Sequence, residues 1–224
     1  MQGVPAEQGG WGGGPVDECG GGRKSGAWMD VRELPPAFSR GLDEFRKRLC
    51  SIDAGYARAS DATVTGRLIL AWLLERWRGW NWRQTVGNIR YSENGKPFFE
   101  EPGVYFSISH SGGRIAVAVA EEPIGLDIQV IGKMKLGYAE HFLHPAEFRR
   151  FEALDPGRQL DFLTRCWSRK EAALKCGGQG LLKRRLTGMD VGNLMFDDMR
   201  LATGRLAEGL VCSIAFITRT DKTD

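Results

Sequence analysis

The feature that most constrains this chain is a change of hydrophobic period. Between Val104 and Val130 apolar residues recur at every second position. In the longest patterns on either side, 61–80 and 156–176, they recur at helical spacing. Ile115, Val117 and Val119 alternate with Ala116 and Ala118, and Ile124, Leu126, Ile128 and Val130 alternate with Gly125, Asp127 and Gln129. Side chains two apart in a strand share a face, so these runs predict strands over 104–110, 115–119 and 124–130, with Gly112-Gly113 as a turn. Upstream, 61–80 is the longest helical pattern; Leu70, Leu73, Leu74 and Trp77 form its stripe and Asp61 is placed to cap it. A shorter helix is expected over 39–49. Ile89 and Tyr91, the Asn94-Gly95 turn and Pro97-Phe98-Phe99 read as a hairpin. Downstream, His144-Pro145-Ala146-Glu147 opens one helix. Asp155-Pro156 opens another that runs to about Cys176 and stops at Gly177-Gly178. Short strands are expected between Gly188 and Thr218, with Val211, Ile214, Ala215 and Phe216 as core candidates.

Helices then strands, followed by helices then strands, indicate an α+β chain of two similar halves. The expected division is 27–121 and 122–224. The segment 1–26 is dominated by glycine and has little with which to build a core, so it is expected to be a disordered tail. Met29 opens a more ordinary sequence. Of the 224 residues, 42% are hydrophobic and 26% charged, an ordinary globular balance. The net charge of +3 does not call for nucleic acid, but it suits a polyanionic ligand or an acidic partner. No apolar run in the sequence is long enough to span a membrane, and no secretory leader is expected. The five scattered cysteines lack a Cys-x-x-Cys pair and read as reduced thiols of a cytoplasmic protein.

The helix from Pro156 carries Leu160, Leu163, Trp167 and Leu174 on one stripe, and Glu171 lies on it too. A carboxylate there needs a partner. One reading is an exposed Glu171–Lys175 pair at i,i+4 spacing; the other is a functional acid. On the strand 124–130, Gly125, Asp127 and Gln129 share the face opposite Ile124, Leu126 and Ile128. That face is either solvated or a supplier of oxygen ligands for a hard cation such as magnesium. In Ser107-Ile108-Ser109-His110-Ser111-Gly112, alternation puts the three serines on one face and His110 on the other. The segment is a plain turn, a phosphate cradle or, remotely, a hydrolase centre, although the Gly-x-Ser-x-Gly elbow is absent. His141 and His144 lack a third ligand of zinc type and read as structural. Lys183-Arg184-Arg185 is a solvated face or a contact for an acidic partner.

Taken in order, Gly95-Lys96-Pro97, Ser107-Ile108-Ser109-His110-Ser111-Gly112, Gly125-Leu126-Asp127-Ile128 and Trp167-Ser168-Arg169-Lys170-Glu171-Ala172-Ala173-Leu174-Lys175 resemble the long single-chain 4′-phosphopantetheinyl transferases of the surfactin-synthetase type. Ala57 to Asp61 with Gly66-Arg67-Leu68, and Gly178-Gln179-Gly180-Leu181, extend the resemblance over roughly 27–218. The resemblance implies a pseudo-twofold fold with coenzyme A between the halves. It implies that Asp127 and Glu171 bind magnesium and that Lys175 pairs with the diphosphate. It also implies that Lys96, Ser109 and His110 hold the 3′-phosphate end and that Arg58 adds a phosphate contact. Glu171, or a water on the metal, would take the proton of a carrier serine, and adenosine 3′,5′-bisphosphate would leave. The implied partner is an apo acyl, peptidyl or aminoadipate-reductase carrier, and a cleft supplied by one chain favours a monomer. Two departures stand out: Gln129 replaces a frequent second acid, and Ser107 replaces the usual Asn. The first motivates a rival reading, a coenzyme A-binding protein with weakened catalysis; a carrier-docking module without chemistry is a further rival.

Overall fold

The computed structural model describes residues 12–14, 24–30, 36–178, 183–192, 195–196 and 199–217. In chain order the first elements are β1 (Gly12–Gly14), β2 (Lys24–Asp30), α1 (Pro36–Cys50), a 3-10 turn (Ala54–Arg58), α2 (Asp61–Arg78) and α3 (Trp82–Gly87). Five strands follow: β3 (Arg90–Tyr91), β4 (Pro97–Phe98), β5 (Tyr105–Ser111), β6 (Arg114–Ala120) and β7 (Ile124–Val130). After a 3-10 turn at Leu136–Tyr138 come α4 (Ala139–Phe142), α5 (Pro145–Glu152), α6 (Pro156–Cys176) and α7 (Lys183–Gly188). The last strands are β8 (Met195–Phe196), β9 (Met199–Ala207) and β10 (Leu210–Ile217). The chain is α+β, as the alternation of periods predicts.

Two antiparallel four-stranded sheets carry the architecture, ordered β1-β2-β6-β5 and β7-β10-β9-β8. Strand β1 falls wholly, and β2 partly, inside the glycine-rich head expected to be disordered: Gly12–Gly14 pairs with β2, and β2 pairs with β6 from Lys24 to Asp30. Main-chain pairing needs no side chains, which is why a glycine-rich segment can join a sheet edge. The rest of that head lies outside the described residues.

The alternation in β6 separates two cores. Ile115, Val117 and Val119 pack with Ile69, Leu70, Leu73 and Leu74 of α2. Ala116, Ala118 and Ala120 face the other way, onto Ile124, Leu126, Ile128 and Leu210. The pairs Ser107↔Ala118 and Ser109↔Ala116 make this second face one of small residues, and the second sheet comes close to it. On the far side, α6 covers β7, β9 and β10 through Leu163, Ala172, Ala173, Leu174, Leu201 and Ala215.

Local signals explain the element ends. Ser60, not Asp61, caps α2: its Oγ accepts the Thr63 amide at 3.2 Å, and Asp61 instead pairs with Arg46 of α1. Gly79 ends α2 at φ 70°. His144 Nδ1 accepts the Ala146 amide at 3.2 Å while Glu147 reaches back to the His144 amide at 2.9 Å, a capping box ahead of Pro145. The β3–β4 hairpin closes with Gly95 at φ 75°. No described helix is long and apolar enough to cross a membrane.

Candidate active site

Asp127 sits in the middle of β7, which is an edge strand of the second sheet. It is 2% exposed. Its Oδ1 accepts the Ser109 hydroxyl at 2.8 Å and the Lys175 amine at 2.9 Å. Its Oδ2 is buried and has no hydrogen-bond partner among the described residues. Burial pushes the carboxyl above the usual carboxylate range, and Lys175 and Ser109 pull it back in part. The Ser168 hydroxyl donates to the Asp127 carbonyl at 3.3 Å, which ties α6 to the strand at this residue.

Glu171 and Lys175 reach the same place because α6 lies directly on Gly125. Lys175 Nζ is 3.7 Å from Glu171 Oε2 and also donates to the Leu126 carbonyl at 3.1 Å. The Glu171 carboxyl is likewise raised, first by burial, with Asp127 adding to the shift and Lys175 opposing the two. The i,i+4 pair foreseen on the helix is therefore present, but at 14% and 26% side-chain exposure rather than in open solvent. Two carboxylates share one ammonium.

A cavity of about 250 Å³ adjoins this cluster. The turn at Gly95 and Lys96, Ser107 and Ile108 of β5, and Glu171 and Lys175 of α6 are among its lining residues. Lys96, from the β3–β4 turn, reaches α6 and donates to the Lys175 carbonyl. That carbonyl belongs to the last turn of α6, where the helix leaves acceptors unsatisfied and favours a cation. Burial lowers the Lys96 ammonium below the usual lysine range.

The structure thus gathers Lys96, Ser109, Asp127, Glu171 and Lys175. It does not bring in His110 or Arg58. His110 is exposed and lies on the face of β5 opposite Ser109, as alternation requires. Arg58 is exposed at the end of its 3-10 turn and is not among the cavity-lining residues. Gln129 shares the Asp127 face, with its Oε1 accepting the Ser111 hydroxyl at 3.1 Å. Lys183, Arg184 and Arg185 lie on α7, with side chains outside the described residues.

Sequence reasoning missed Lys170. It is fully buried, 2.7 Å from Glu147 Oε2, and donates to the carbonyls of Phe142, Leu186 and Met189 at 2.9, 2.6 and 2.7 Å. Glu147 in turn accepts the Val191 amide at 2.8 Å. The available signal was spacing, since Lys170 follows Leu163 by two helical turns and Cys166 by one.

Comparison with known proteins bears on this half of the chain. Residues 123–216 match the model of the 4′-phosphopantetheinyl transferase superfamily. The match covers a little under half of the chain and shows what this part of it is similar to. The matched span holds Asp127, Glu171 and Lys175. Among curated proteins, a 4′-phosphopantetheinyl transferase of Bacillus subtilis is 39% identical over 90 residues, 40% of each chain. The 4′-phosphopantetheinyl transferase psf-1 of Bacillus pumilus is 28% identical over 156 residues, 69% of this chain and 64% of its own. The chain therefore spans about two fifths to just under two thirds of these relatives. A holo-[acyl-carrier-protein] synthase structure from Thermotoga maritima is 17% identical with a TM-score of 0.36, over 43% of this chain and 62% of that one.

Proposed function

We propose that the protein transfers the 4′-phosphopantetheine group of coenzyme A to a serine of an apo carrier protein. The observation that carries this reading is the convergence of Asp127 and Glu171 on the Lys175 amine, at 2.9 and 3.7 Å, beside a cavity that Lys96 also lines. A cleft with two cations and two acids suits a diphosphate ligand.

Asp127 and Glu171 would hold a magnesium ion. The residues fit one: Asp127 Oδ2 is buried without a partner among the described residues, and a hard cation takes one or two carboxylates and completes its shell with phosphate oxygens and water. When bound, the ion supplies charge stabilisation to the diphosphate oxygens. Lys175 supplies a second positive charge at those oxygens, and Lys96 serves the 3′-phosphate end. Glu171 takes the proton of the carrier serine hydroxyl. The serine oxygen forms a bond to the phosphorus that bears pantetheine, the bond from that phosphorus to the other phosphate breaks, and adenosine 3′,5′-bisphosphate leaves with the bonding pair. Residues 27–121 and 122–224 act as the two halves of the cleft. Since one chain supplies both walls, a monomer suffices. The carrier is an acyl, peptidyl or aminoadipate-reductase carrier, and the exposure of Lys133 and Lys135 is compatible with an acidic one.

The test is to incubate the protein with apo carrier, coenzyme A and MgCl2 and to weigh the carrier by mass spectrometry. The expected result is a gain of one phosphopantetheine. No gain across acyl, peptidyl and aminoadipate-reductase carriers sinks the proposal. Coenzyme A binding without that gain identifies instead a protein with weakened catalysis, the reading that Gln129, held by Ser111 where a second acid is frequent, keeps in play.

A further inference from the structure

The two sheets meet along β5 and β7 without a main-chain ladder between those strands. Serine hydroxyls replace it. Ser107 Oγ accepts the Leu126 amide at 2.9 Å, Ser109 Oγ accepts the Ile128 amide at 3.1 Å, and Ser111 Oγ accepts the Val130 amide at 3.1 Å. Each rung satisfies a β7 amide that faces the junction.

The rungs differ in where the hydroxyl proton goes. Ser111 donates to Gln129 Oε1 at 3.1 Å. Ser109 donates to Asp127 Oδ1 at 2.8 Å and accepts from Lys175 Nζ at 3.2 Å. A hydroxyl has one proton and two lone pairs. In Ser109 all three are committed, to Asp127, Ile128 and Lys175.

We infer that Ser109 is a positioning residue for Asp127. It draws Oδ1 and the Lys175 amine to one side and leaves Oδ2, which is buried without a partner, as the oxygen offered to a divalent cation. The inference rests on the reading of Asp127 as a metal ligand. Partners that orient a ligating carboxylate affect metal affinity although they never touch the metal.

The test titrates Mn2+ into the full-length protein with coenzyme A present and follows free Mn2+ by electron paramagnetic resonance. Wild type, Ser109→Ala and Ser111→Ala are compared, with urea unfolding in parallel. Both variants remove one acceptor of a β7 amide, so both should lose stability, and the Ser111 variant measures the loss that comes from the ladder alone. Ser109→Ala should weaken Mn2+ binding by about 10-fold to 100-fold, while Ser111→Ala should stay within about twofold of wild type, because its hydroxyl touches neither Asp127 nor Lys175. If Ser109→Ala does not fold, Ser109→Cys, which keeps a weak donor of similar size, is read in its place with the same expected direction. Unchanged Mn2+ affinity in the Ser109 variant overturns the inference alone. Equal losses in the Ser109 and Ser111 variants also overturn it, since the ladder would then be purely structural. A wild-type protein that binds no Mn2+ overturns the metal reading together with it.

Discussion

Gly125 of β7 lies against the carbonyl of Ala172 on α6. A Cβ at that glycine would stand 1.9 Å from the carbonyl oxygen, and 2.4 Å from the Cys176 amide nitrogen. Both are main-chain atoms, so no rotamer change relieves the clash. The contact sets the height of α6 over the sheet, and α6 carries Glu171 and Lys175. Gly125→Ala should therefore cost about 1–3 kcal/mol through overpacking and should lower transfer by more than its loss of stability explains. Gly204→Ala is the control, since a Cβ there meets nothing within 4 Å. Urea unfolding and carrier-mass assays on both variants check this, and a Gly125→Ala protein of wild-type stability would show that the helix is free to shift.

Lys170 and Glu147 form the other anchor of α6. Burial lowers the Lys170 ammonium below the usual lysine range, and the Glu147 carboxylate opposes that shift. Removing one partner of such a pair leaves a buried charge, and Lys170→Met should cost about 3–5 kcal/mol. A pair that served only itself would be rescued by removing both partners. Here Lys170 also satisfies three carbonyls, and Glu147 satisfies the amides of His144 and Val191. The Lys170→Met/Glu147→Leu double variant should consequently be at least as unstable as either single one. Recovery of stability in a urea double-mutant cycle would contradict this.

These anchors show where sequence and structure part. The strand over 124–130 and the His144-Pro145 helix start were legible because their determinants are local, a period of two and a capping box. Asp61 was the wrong cap for a nonlocal reason: its carboxylate is drawn to Arg46 on another helix, and Ser60 takes the cap. The α3 helix, Trp82–Gly87, is too short to display a helical period. At the site, Asp127 and Glu171 could be singled out as misplaced carboxylates. Their sharing of Lys175 could not, because it depends on the packing of α6 over Gly125. The role of Lys170 was hidden by its type, since a lysine on an apolar stripe reads as an exception until its carbonyl partners are seen.

Glu171 has little structural work besides its 3.7 Å pairing with Lys175. Glu171→Gln is nearly isosteric, so its unfolding midpoint should stay close to wild type. Transfer should fall by about 10²- to 10⁴-fold, the usual worth of a general base. Time-resolved carrier mass measures the rate and circular dichroism the fold. Near-normal transfer by this variant removes Glu171 from the proton-accepting role.

Three described thiols give the fold an alkaline limit. Burial raises Cys166 and Cys212 to about 12 and Cys176 to about 11, from a reference of 9.0. The folded state thus holds these protons more tightly than the unfolded chain does. That contribution is complete below about pH 9, where thiols of both states are protonated, and it is lost as pH climbs through the folded values. Within that window each thiol should remove about 1.4 kcal/mol of stability per pH unit. Urea midpoints at pH 8, 9 and 10 should therefore fall progressively. Cys166→Ala should start from a lower stability at pH 8, because it leaves a small cavity, yet fall less steeply, since one titrating proton is gone. Parallel slopes for wild type and Cys166→Ala would show that this thiol does not set the alkaline limit.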